Sequence, residues 1–309
     1  MSNKLAIQYS TDVRAAQAAK QAVVALESTV ISHGLPYPQN LELAQDMEAV
    51  IRDAGAVPAT SAVIDGKLRL GLNADELERL ASEKDLRKIS VRDFGAAVAQ
   101  RASGGTTVAG TLIMAERAGV QVFATGGIGG VHQGSGKDIS TDLLQLSRSP
   151  VIVVCAGAKA ILDLPATIEY LETMGVPVVG FQTDEFPAFY SRESGLSVSA
   201  RAEKPEEIAH IAKSQWSLGI HSAILVGNPP PAEVALPAEE INTHIEMALK
   251  EAEEQGIHGQ AVTPFLLARV SELSDGESLK TNLALLKNNA SLAAKTAVAM
   301  QASGNQVHL

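Results

Sequence analysis

Two ionisable side chains follow apolar stretches, at places where a soluble protein seldom puts a charge. Lys159 comes after VIVVCAGA (residues 151–158), and Glu27 comes directly after VVAL (residues 23–26). Burial disfavours the charged form of either side chain. The lysine could extend its ammonium group from a helix start to solvent, or it could be a neutral amine that attacks a carbonyl carbon. The glutamate suits acid–base catalysis, although a helix cap or an ion pair would explain its position as well.

A glycine-rich loop follows another apolar stretch, in VFATGGIGGVHQGSGKDISTDL (residues 122–143). Its glycines let backbone N–H groups approach an anionic or polar ligand closely. Ser140, Thr141 and Asp142 could cap a helix and contact that ligand, and His132 could bond within the loop or act on the ligand. Asp138 and Asp142 are oxygen ligands of the kind that Mg²⁺ and Mn²⁺ prefer, although two carboxylates make a weak metal signal. The spacing matches neither the dinucleotide-binding fingerprint nor the P-loop.

A second candidate anion site lies in SGGTTVAGT (residues 103–111). Two glycines precede Thr106 and Thr107 at the start of a predicted helix, where N–H groups and the positive end of the helix dipole favour phosphate. Lys88, in KISVRD, could add a positive charge to this site, or it could be a solvated surface lysine.

Runs rich in valine and isoleucine alternate with segments of helical spacing, and this alternation predicts how the chemical groups are positioned. Short continuous runs are typical of strands covered on both faces, and they occupy residues 23–26, 62–64, 120–124, 151–155, 176–180 and 223–226. Helical spacing covers residues 41–54, 107–118 and 165–174, each closed by a glycine. The pattern predicts a single α/β domain with three α/β/α layers around a largely parallel sheet. From Pro237 onward the chain is predicted to be mostly helical, covering one face of the sheet or reaching a neighbouring subunit.

The composition narrows the classes of partner. The chain has 309 residues and a net charge of -10, so it lacks the excess of lysine and arginine that binding to nucleic acid or to an anionic membrane requires. The single cysteine, Cys155, lies within an apolar run and is predicted to be a packed thiol. The first 20 residues have no apolar signal segment, and no stretch reaches the ~20 apolar residues of a membrane span. We therefore expect a cytoplasmic protein.

Several long motifs together resemble one family, that of pseudouridine-5'-phosphate glycosidase, also called indigoidine synthase A-like. The resemblance runs in order over about residues 23–289, so that the first ~20 residues form an N-terminal extension to one domain over residues 1–309. It rests on these segments: VVALESTVISHGLPYPQN, GAVPAT, KISVRD, TTVAGT, VFATGGIGGVH, DISTDL, VVCAGAKAILDLPATIEYLETMGVPVVG, PAF after Glu185, TPFLLARV and SLKTN.

The resemblance implies reversible cleavage of pseudouridine 5'-phosphate to uracil and ribose 5-phosphate. Lys159 matches the lysine that forms an imine with C1' of the ring-opened ribose, and Glu27 matches the acid that assists ring opening and handles protons at the scissile bond. Asp138 matches the residue assigned to a divalent metal, usually manganese, with magnesium possible. Positions that match substrate contacts are Lys88, Val108 through its backbone N–H, Ser140, Thr141, Asp142 and Asn282. Thr107 and His132 are added because they adjoin these positions. The resemblance also implies the α/β/α fold and a homotrimer.

Two other functions stay open from the sequence. A relative that makes or breaks another C-glycosidic bond with ribose 5-phosphate would share the sugar-phosphate half of the site. A sugar-phosphate-binding protein without turnover would not need Glu27 and Lys159 together. Gln133 stands where many relatives carry arginine, and the loop between His132 and Asp138 is short. These two departures put the affinity for the substrate and the preference for its base in doubt.

Overall fold

The computed structural model describes residues 6–133, 138–257 and 262–302, and a mostly parallel sheet lies between layers of helices. The strands are β1 (Gln8–Tyr9), β2 (Val23–Leu26), β3 (Val57–Ile64), β4 (Lys67–Leu70), β5 (Arg87–Ile89), β6 (Gly104–Thr106), β7 (Val122–Ala124), β8 (Val131–His132), β9 (Ile152–Cys155), β10 (Leu162–Asp163), β11 (Val178–Phe181), β12 (Ala200–Ala202) and β13 (Ile224–Gly227). The main path of the sheet runs β1–β4–β3–β2–β7–β9–β13–β11–β12.

The centre of the sheet is parallel and apolar. β2, β7, β9, β13 and β11 pair in parallel along this path, and β2, β7, β9 and β13 are buried throughout. Continuous burial explains their valine-rich sequences, because helices cover both faces of a parallel sheet. The antiparallel pairs of this sheet are β3 with β4 and β3 with β6, while β5 runs parallel to β6. β8 and β10 form a separate antiparallel pair.

The helices are α1 (Thr11–Ala18), α2 (Gln39–Asp53), α3 (Ala74–Ser82), α4 (Phe94–Ala99), α5 (Val108–Ala118), α6 (Thr141–Leu146), α7 (Leu164–Thr173), α8 (Pro205–Ser217), α9 (Ala238–Glu254), α10 (Val262–Leu273) and α11 (Glu277–Ala302), with a π-helix at Val30–Gly34 and a 3-10 turn at Val91–Asp93. α11 lies between α2 and α8 against β2, β7 and β9. Many of its buried residues are alanines, which allow it to pack close to the sheet. α5 packs on β2, β3 and β7, with α6 beside it.

The fold class and the main elements predicted from the sequence are confirmed. All six predicted strands and all three predicted helices are present, with ends that differ by five residues at β3 and by at most two elsewhere. Gly119 ends α5 with φ of 70°, a left-handed backbone that glycine adopts without strain. The chain after Pro237 is helical in its described parts, and α11 covers the sheet. The extent of one domain over residues 1–309 stays a prediction.

The segment predicted as an N-terminal extension contributes to the core in its described part. β1 pairs in parallel with β4, and the side chains of Val13 and Ala16 in α1 are fully buried. Cys155 is also fully buried, and burial raises the pKa of its thiol to about 12, so the prediction of a packed thiol is confirmed. Within the described residues, no helix is both long and apolar enough to cross a membrane.

Candidate active site

Two adjoining cavities lie where β2, β7 and β9 end. The larger one, which we call the polar cleft, has a volume of about 310 Å³ and is lined by all the predicted site residues except Asn282. The smaller one, the apolar pocket, has a volume of about 60 Å³ and includes Phe189, Leu267, Leu286 and Asn282. The cavities share Glu27, Thr29, Lys88 and Lys159. The fold therefore brings together side chains that are up to 255 positions apart in the sequence.

Glu27 lies directly beyond β2 and is almost fully buried. The hydroxyl of Thr125 donates a hydrogen bond to its Oε1. Burial raises the pKa of the Glu27 carboxyl, against the opposing effects of the Lys159 charge and of the Thr125 hydrogen bond. A carboxyl group with a raised pKa holds its proton to higher pH, which is the property that a general acid needs.

Lys159 lies in a loop between β9 and β10, which we call the lysine loop (residues 156–161). Its backbone N–H donates to the carbonyl of Ile128 at 3.0 Å. α7 begins only at Leu164, so the alternative in which Lys159 starts a helix is wrong. The amine is partly buried and lines both cavities beside Glu27, with which it interacts electrostatically.

Lys88 lies in β5 and lines both cavities. Burial lowers the pKa of its ammonium group, and the Lys159 charge lowers it further, whereas Glu27 and Asp142 act in the opposite direction. The alternative of a solvated surface lysine is therefore wrong. The polar cleft thus brings two amines, those of Lys88 and Lys159, next to the Glu27 carboxyl group.

The helix start at which an anion site is predicted is present, because α5 begins at Val108. Thr107 is the N-cap, and its hydroxyl accepts the N–H of Gly110 at 3.2 Å. The N–H of Ala109 donates to the Asp142 carboxylate at 2.9 Å. Among the described residues, no acceptor contacts the N–H of Val108, which lines the polar cleft and can bind an anionic oxygen.

Asp142 holds two parts of the site together. Its Oδ1 accepts the N–H of Ala109 in α5, and its Oδ2 accepts the N–H of Gly129 at 2.9 Å. It therefore acts as a cap, but for α5 and not for its own helix α6, which Ser140 caps through the N–H of Asp142. Because both carboxylate oxygens already accept hydrogen bonds, the direct contact of Asp142 with a ligand stays a prediction.

The remaining predicted residues lie at the rim of the polar cleft. Ser140 and Thr141 mark the start of α6, and His132 lies in β8, where its backbone N–H donates to the carbonyl of Asp138 at 2.9 Å. The Asp138 side chain is exposed. Residues 134–137, to which the prediction of a short loop refers, lie outside the described residues.

The donor groups at this rim fit a divalent metal ion only with the help of a ligand. The described residues contain no cluster of three or more histidine, cysteine, aspartate and glutamate side chains that could hold a metal ion. Asp138 supplies an exposed carboxylate, whereas the oxygens of Asp142 are engaged. One or two carboxylates together with phosphate oxygens and water are the usual environment of Mg²⁺. The described side chains alone therefore do not form a metal site, and the divalent metal at Asp138 stays a prediction.

Helix α11 contributes the polar groups that lie on the other side of Glu27. Asn282 is buried and lines the apolar pocket. Asn289 donates from Nδ2 to the carbonyl of Thr125 at 2.9 Å and accepts a hydrogen bond from Asn228 at 2.9 Å. Since Thr125 also donates to Glu27, α11 supports the residue that holds the carboxyl group.

Sequence reasoning missed Thr125, although a signal for it was present. Leu26 pairs with Ala124 in the parallel register of β2 and β7, so the residues that follow, Glu27 and Thr125, lie side by side. Aligning the ends of the two apolar runs would have placed a hydroxyl next to the carboxyl group. Asn289 gave no such signal, because its partners are backbone and side-chain groups from distant elements.

A larger cavity of about 420 Å³ lies elsewhere, at the amino ends of β2 and β7. Among the described residues that line it there is no carboxylate and no histidine, and Lys20 and Tyr9 are its ionisable groups. Acid–base chemistry needs groups that titrate near neutral pH and lie close together. The polar cleft, although smaller, is therefore the better candidate for a catalytic site.

Comparison with known proteins identifies the family of the chain. The model of the family described as indigoidine synthase A-like protein matches residues 12–299. The chain belongs to this family. Pseudouridine-5'-phosphate glycosidase from Caldanaerobacter subterraneus subsp. tengcongensis is 53% identical over 94% of this chain and 96% of its own. The same enzyme from Geobacillus kaustophilus is 54% identical over 94% of this chain and 97% of its own.

Solved structures of the family share the fold over nearly the whole chain. The crystal structure of the prealnumycin C-glycosynthase AlnA in complex with ribulose 5-phosphate superposes with a TM-score of 0.90 at 40% identity, covering 98% of this chain and 99% of its own. An indigoidine synthase A-like protein from Thermotoga maritima gives a TM-score of 0.89 at 36% identity, covering 97% of this chain and 98% of its own. The three-layer α/β/α fold is thus that of the family.

Proposed function

We propose that this protein is an enzyme that reversibly cleaves the C-glycosidic bond of pseudouridine 5'-phosphate, giving uracil and ribose 5-phosphate. The observation that carries the proposal is the meeting of Glu27 and Lys159 in one cleft, beside the helix start at Val108. Relatives that are 53% and 54% identical over nearly the full chain bear the name of this activity. An acid, an amine and an anion site are the groups that the reaction requires.

The amine of Lys159 attacks C1' of the ribose in its neutral form. The C1'–O4' bond breaks, and O4' takes a proton, so the sugar opens while nitrogen becomes attached to C1'. The bond between C1' and C5 of uracil then breaks. Its electron pair stays on C5, which gains a proton, while the nitrogen lone pair forms the C=N bond of an imine. Water hydrolyses the imine, which releases ribose 5-phosphate and restores the amine.

Glu27 supplies the proton for ring opening. The raised pKa of its carboxyl keeps the acid form available, and its proximity to Lys159 allows it to take protons back in later steps. A carbon leaving group departs poorly, so protonation and the attached nitrogen have to act together. This joint requirement explains why a carboxyl group and an amine meet at one edge of the sheet, Glu27 directly after β2 and Lys159 in the loop after β9.

The phosphate group of the substrate binds at the start of α5. The N–H of Val108 and the positive charge of Lys88 face the polar cleft there, and Ser140 and Thr141 add hydroxyl groups at its rim. Thr107 and Asp142 hold the helix start and the glycine loop in position. Asn282 and His132 are proposed to contact the sugar or the base.

Asp138 is proposed to hold a divalent cation, Mn²⁺ or Mg²⁺, together with the substrate. Three cationic and four carboxylate side chains line the polar cleft among the described residues, so a phosphate dianion adds negative charge to a site that already carries it. A bound metal ion would supply positive charge to the phosphate and sugar oxygens. We further propose that the enzyme is a cytoplasmic homotrimer, which light scattering at several protein concentrations would test.

A second candidate activity is the making or breaking of another C-glycosidic bond with ribose 5-phosphate. It would use the same sugar-phosphate half of the site. The AlnA structure is of a C-glycosynthase in complex with ribulose 5-phosphate, which favours a sugar phosphate as the common ligand. We would incubate the enzyme with ribose 5-phosphate and a set of aromatic acceptors, and separately with pseudouridine 5'-phosphate. Formation of pseudouridine 5'-phosphate from uracil, and its cleavage in the reverse assay, are expected. Failure with uracil while another aromatic acceptor reacts would contradict the proposal.

A further inference from the structure

Phe189 has a backbone conformation that its residue type seldom adopts. Its φ is 63°, in the left-handed region, and its side chain is only 3% exposed. Among the described residues, the others with positive φ that are not glycine are polar and exposed, namely Lys20, Asp65, Asp85, Arg101, Gln182 and Asp275. A bulky residue in this region is strained and persists only where its surroundings enforce it.

The strained residue is fixed to the loop that carries Lys159. Its N–H donates to the carbonyl of Ala156 at 2.9 Å, at the start of the lysine loop. In the same loop, Gly157 touches Pro187: a Cβ atom on Gly157 would lie 1.9 Å from the Pro187 carbonyl oxygen. Residues 186–191, which we call the aromatic loop, therefore press directly on the backbone two positions before the amine.

The ring of Phe189 fixes the opposite side of the lysine loop as well. A Cβ atom on Gly127 would lie 2.7 Å from the ring, so the ring packs against the backbone of the segment that follows β7. That segment and the lysine loop are joined by hydrogen bonds: Ile128 N–H to Gly157 at 3.1 Å, and Lys159 N–H to Ile128 at 3.0 Å. Phe189 thus contacts both the lysine loop and the segment that follows β7.

The aromatic loop is itself held from outside the site. The Ser191 hydroxyl donates to the carbonyl of Leu236 at 2.7 Å, and the N–H of Leu236 donates to Tyr190 at 2.9 Å. The rings of Phe189 and Tyr190 meet edge to face, with centroids 4.8 Å apart. These anchors supply the constraint that keeps Phe189 in its strained conformation.

We propose that Phe189 is a positioning residue that fixes the Lys159 amine for attack, through the lysine loop and the segment after β7. The inference rests on the proposed function, in which Lys159 is the nucleophile. A nucleophile displaced by about 1 Å can cost ~10²-fold in rate, because the reacting atoms no longer meet at the required distance. The strained residue Phe189 thus lies where a small displacement of the Lys159 amine would change the reaction rate.

The test compares Phe189→Gly with Phe189→Leu and with the control Gln182→Gly. Glycine adopts the left-handed φ freely, so the first variant removes the ring without adding backbone strain. Leucine keeps much of the apolar volume and serves if the glycine variant is poorly folded, which circular dichroism and thermal unfolding would show. Gln182 has a similar φ of 55° in an exposed turn, so its variant makes the same backbone change away from Lys159.

For Phe189→Gly we expect kcat and the rate of borohydride-trapped imine formation to fall at least ~10-fold, with KM within ~3-fold of wild type. We expect faster amide hydrogen exchange in residues 156–161, a smaller effect of the same kind in Phe189→Leu, and none in Gln182→Gly. The inference would be overturned if both Phe189 variants showed the same exchange and trapping rates as the wild type. A change in KM alone would also overturn it. If the wild type forms no imine, the proposed function fails, and the exchange result still decides whether Phe189 holds the loop.

Discussion

Replacing Thr125 by valine tests how the protein controls the acid. The Thr125 hydroxyl is the described donor to the Glu27 carboxylate, and valine has nearly the same shape without the hydroxyl. A hydrogen bond stabilises the charged carboxylate, so it lowers the pKa of Glu27 against the larger effect of burial. Its loss must raise that pKa further.

The size of the shift follows from the strength of such a bond. A hydrogen bond to a charged group contributes roughly 1.5–3 kcal/mol, and about 1.4 kcal/mol corresponds to one unit of pKa. The loss of this bond in Thr125→Val should therefore raise the pKa of Glu27 further. In the pH profile of kcat/KM, activity falls with rising pH as Glu27 loses its proton, and this limb should move to higher pH.

The assay is uracil release from pseudouridine 5'-phosphate, measured from about pH 5 to 10. Thr125→Ser keeps the hydroxyl and is the matched control, for which we expect the limb to stay within ~0.5 units of wild type. An unmoved limb in Thr125→Val, with an intact fold, would show either that Glu27 is not the titrating acid or that the hydroxyl does not hold it.

Three further predictions concern the carboxylates of the site. Because the pKa of Glu27 is raised in the folded protein, the free energy of unfolding of the wild type should fall as pH rises from the ordinary pKa of 4.5 through the folded pKa. Glu27→Gln should remove this fall, which denaturant unfolding at several pH values would show. The same variant should lower turnover at least ~10²-fold. Asp142→Ala leaves the N–H groups of Ala109 and Gly129 without their acceptor and should lower the free energy of unfolding by roughly 3 kcal/mol. Asp138→Ala, on an exposed side chain, should change unfolding by less than about 0.5 kcal/mol but weaken Mn²⁺ binding in calorimetry with ribose 5-phosphate present; equal binding would remove Asp138 from the metal site.

Local sequence patterns were enough to predict the elements that position the site. β2, β7 and β9 are continuous apolar runs, and the ends of parallel strands gather at one edge, so the location of Glu27 followed from its place after β2. The position of α5 followed likewise from the helical spacing of residues 107–118, whereas the capping role of Thr107 was not predicted. β5 and β6 were missed, because each is only three residues long and β6 reads Gly-Gly-Thr, which has little strand propensity.

What the sequence could not predict depends on contacts between distant segments. Asp142 lies in the first turn of its own helix α6, as expected, but its carboxylate accepts hydrogen bonds from the N–H groups of Ala109 in α5 and of Gly129. Phe189 belongs to a motif that resembles the family's, yet its positive φ and its contact with Gly127 appear only in the folded chain. Such contacts are set by packing and have no periodic signature.

Trapping the covalent intermediate tests most directly whether Lys159 is the nucleophile. The enzyme would be incubated with ribose 5-phosphate and borohydride, and the intact protein and its peptides would be weighed by mass spectrometry. We expect one addition per chain on Lys159, with the mass of ribose 5-phosphate less one oxygen atom, and none in Lys159→Ala. No addition to the wild type, or equal addition to the variant, would contradict the claim that Lys159 is the nucleophile.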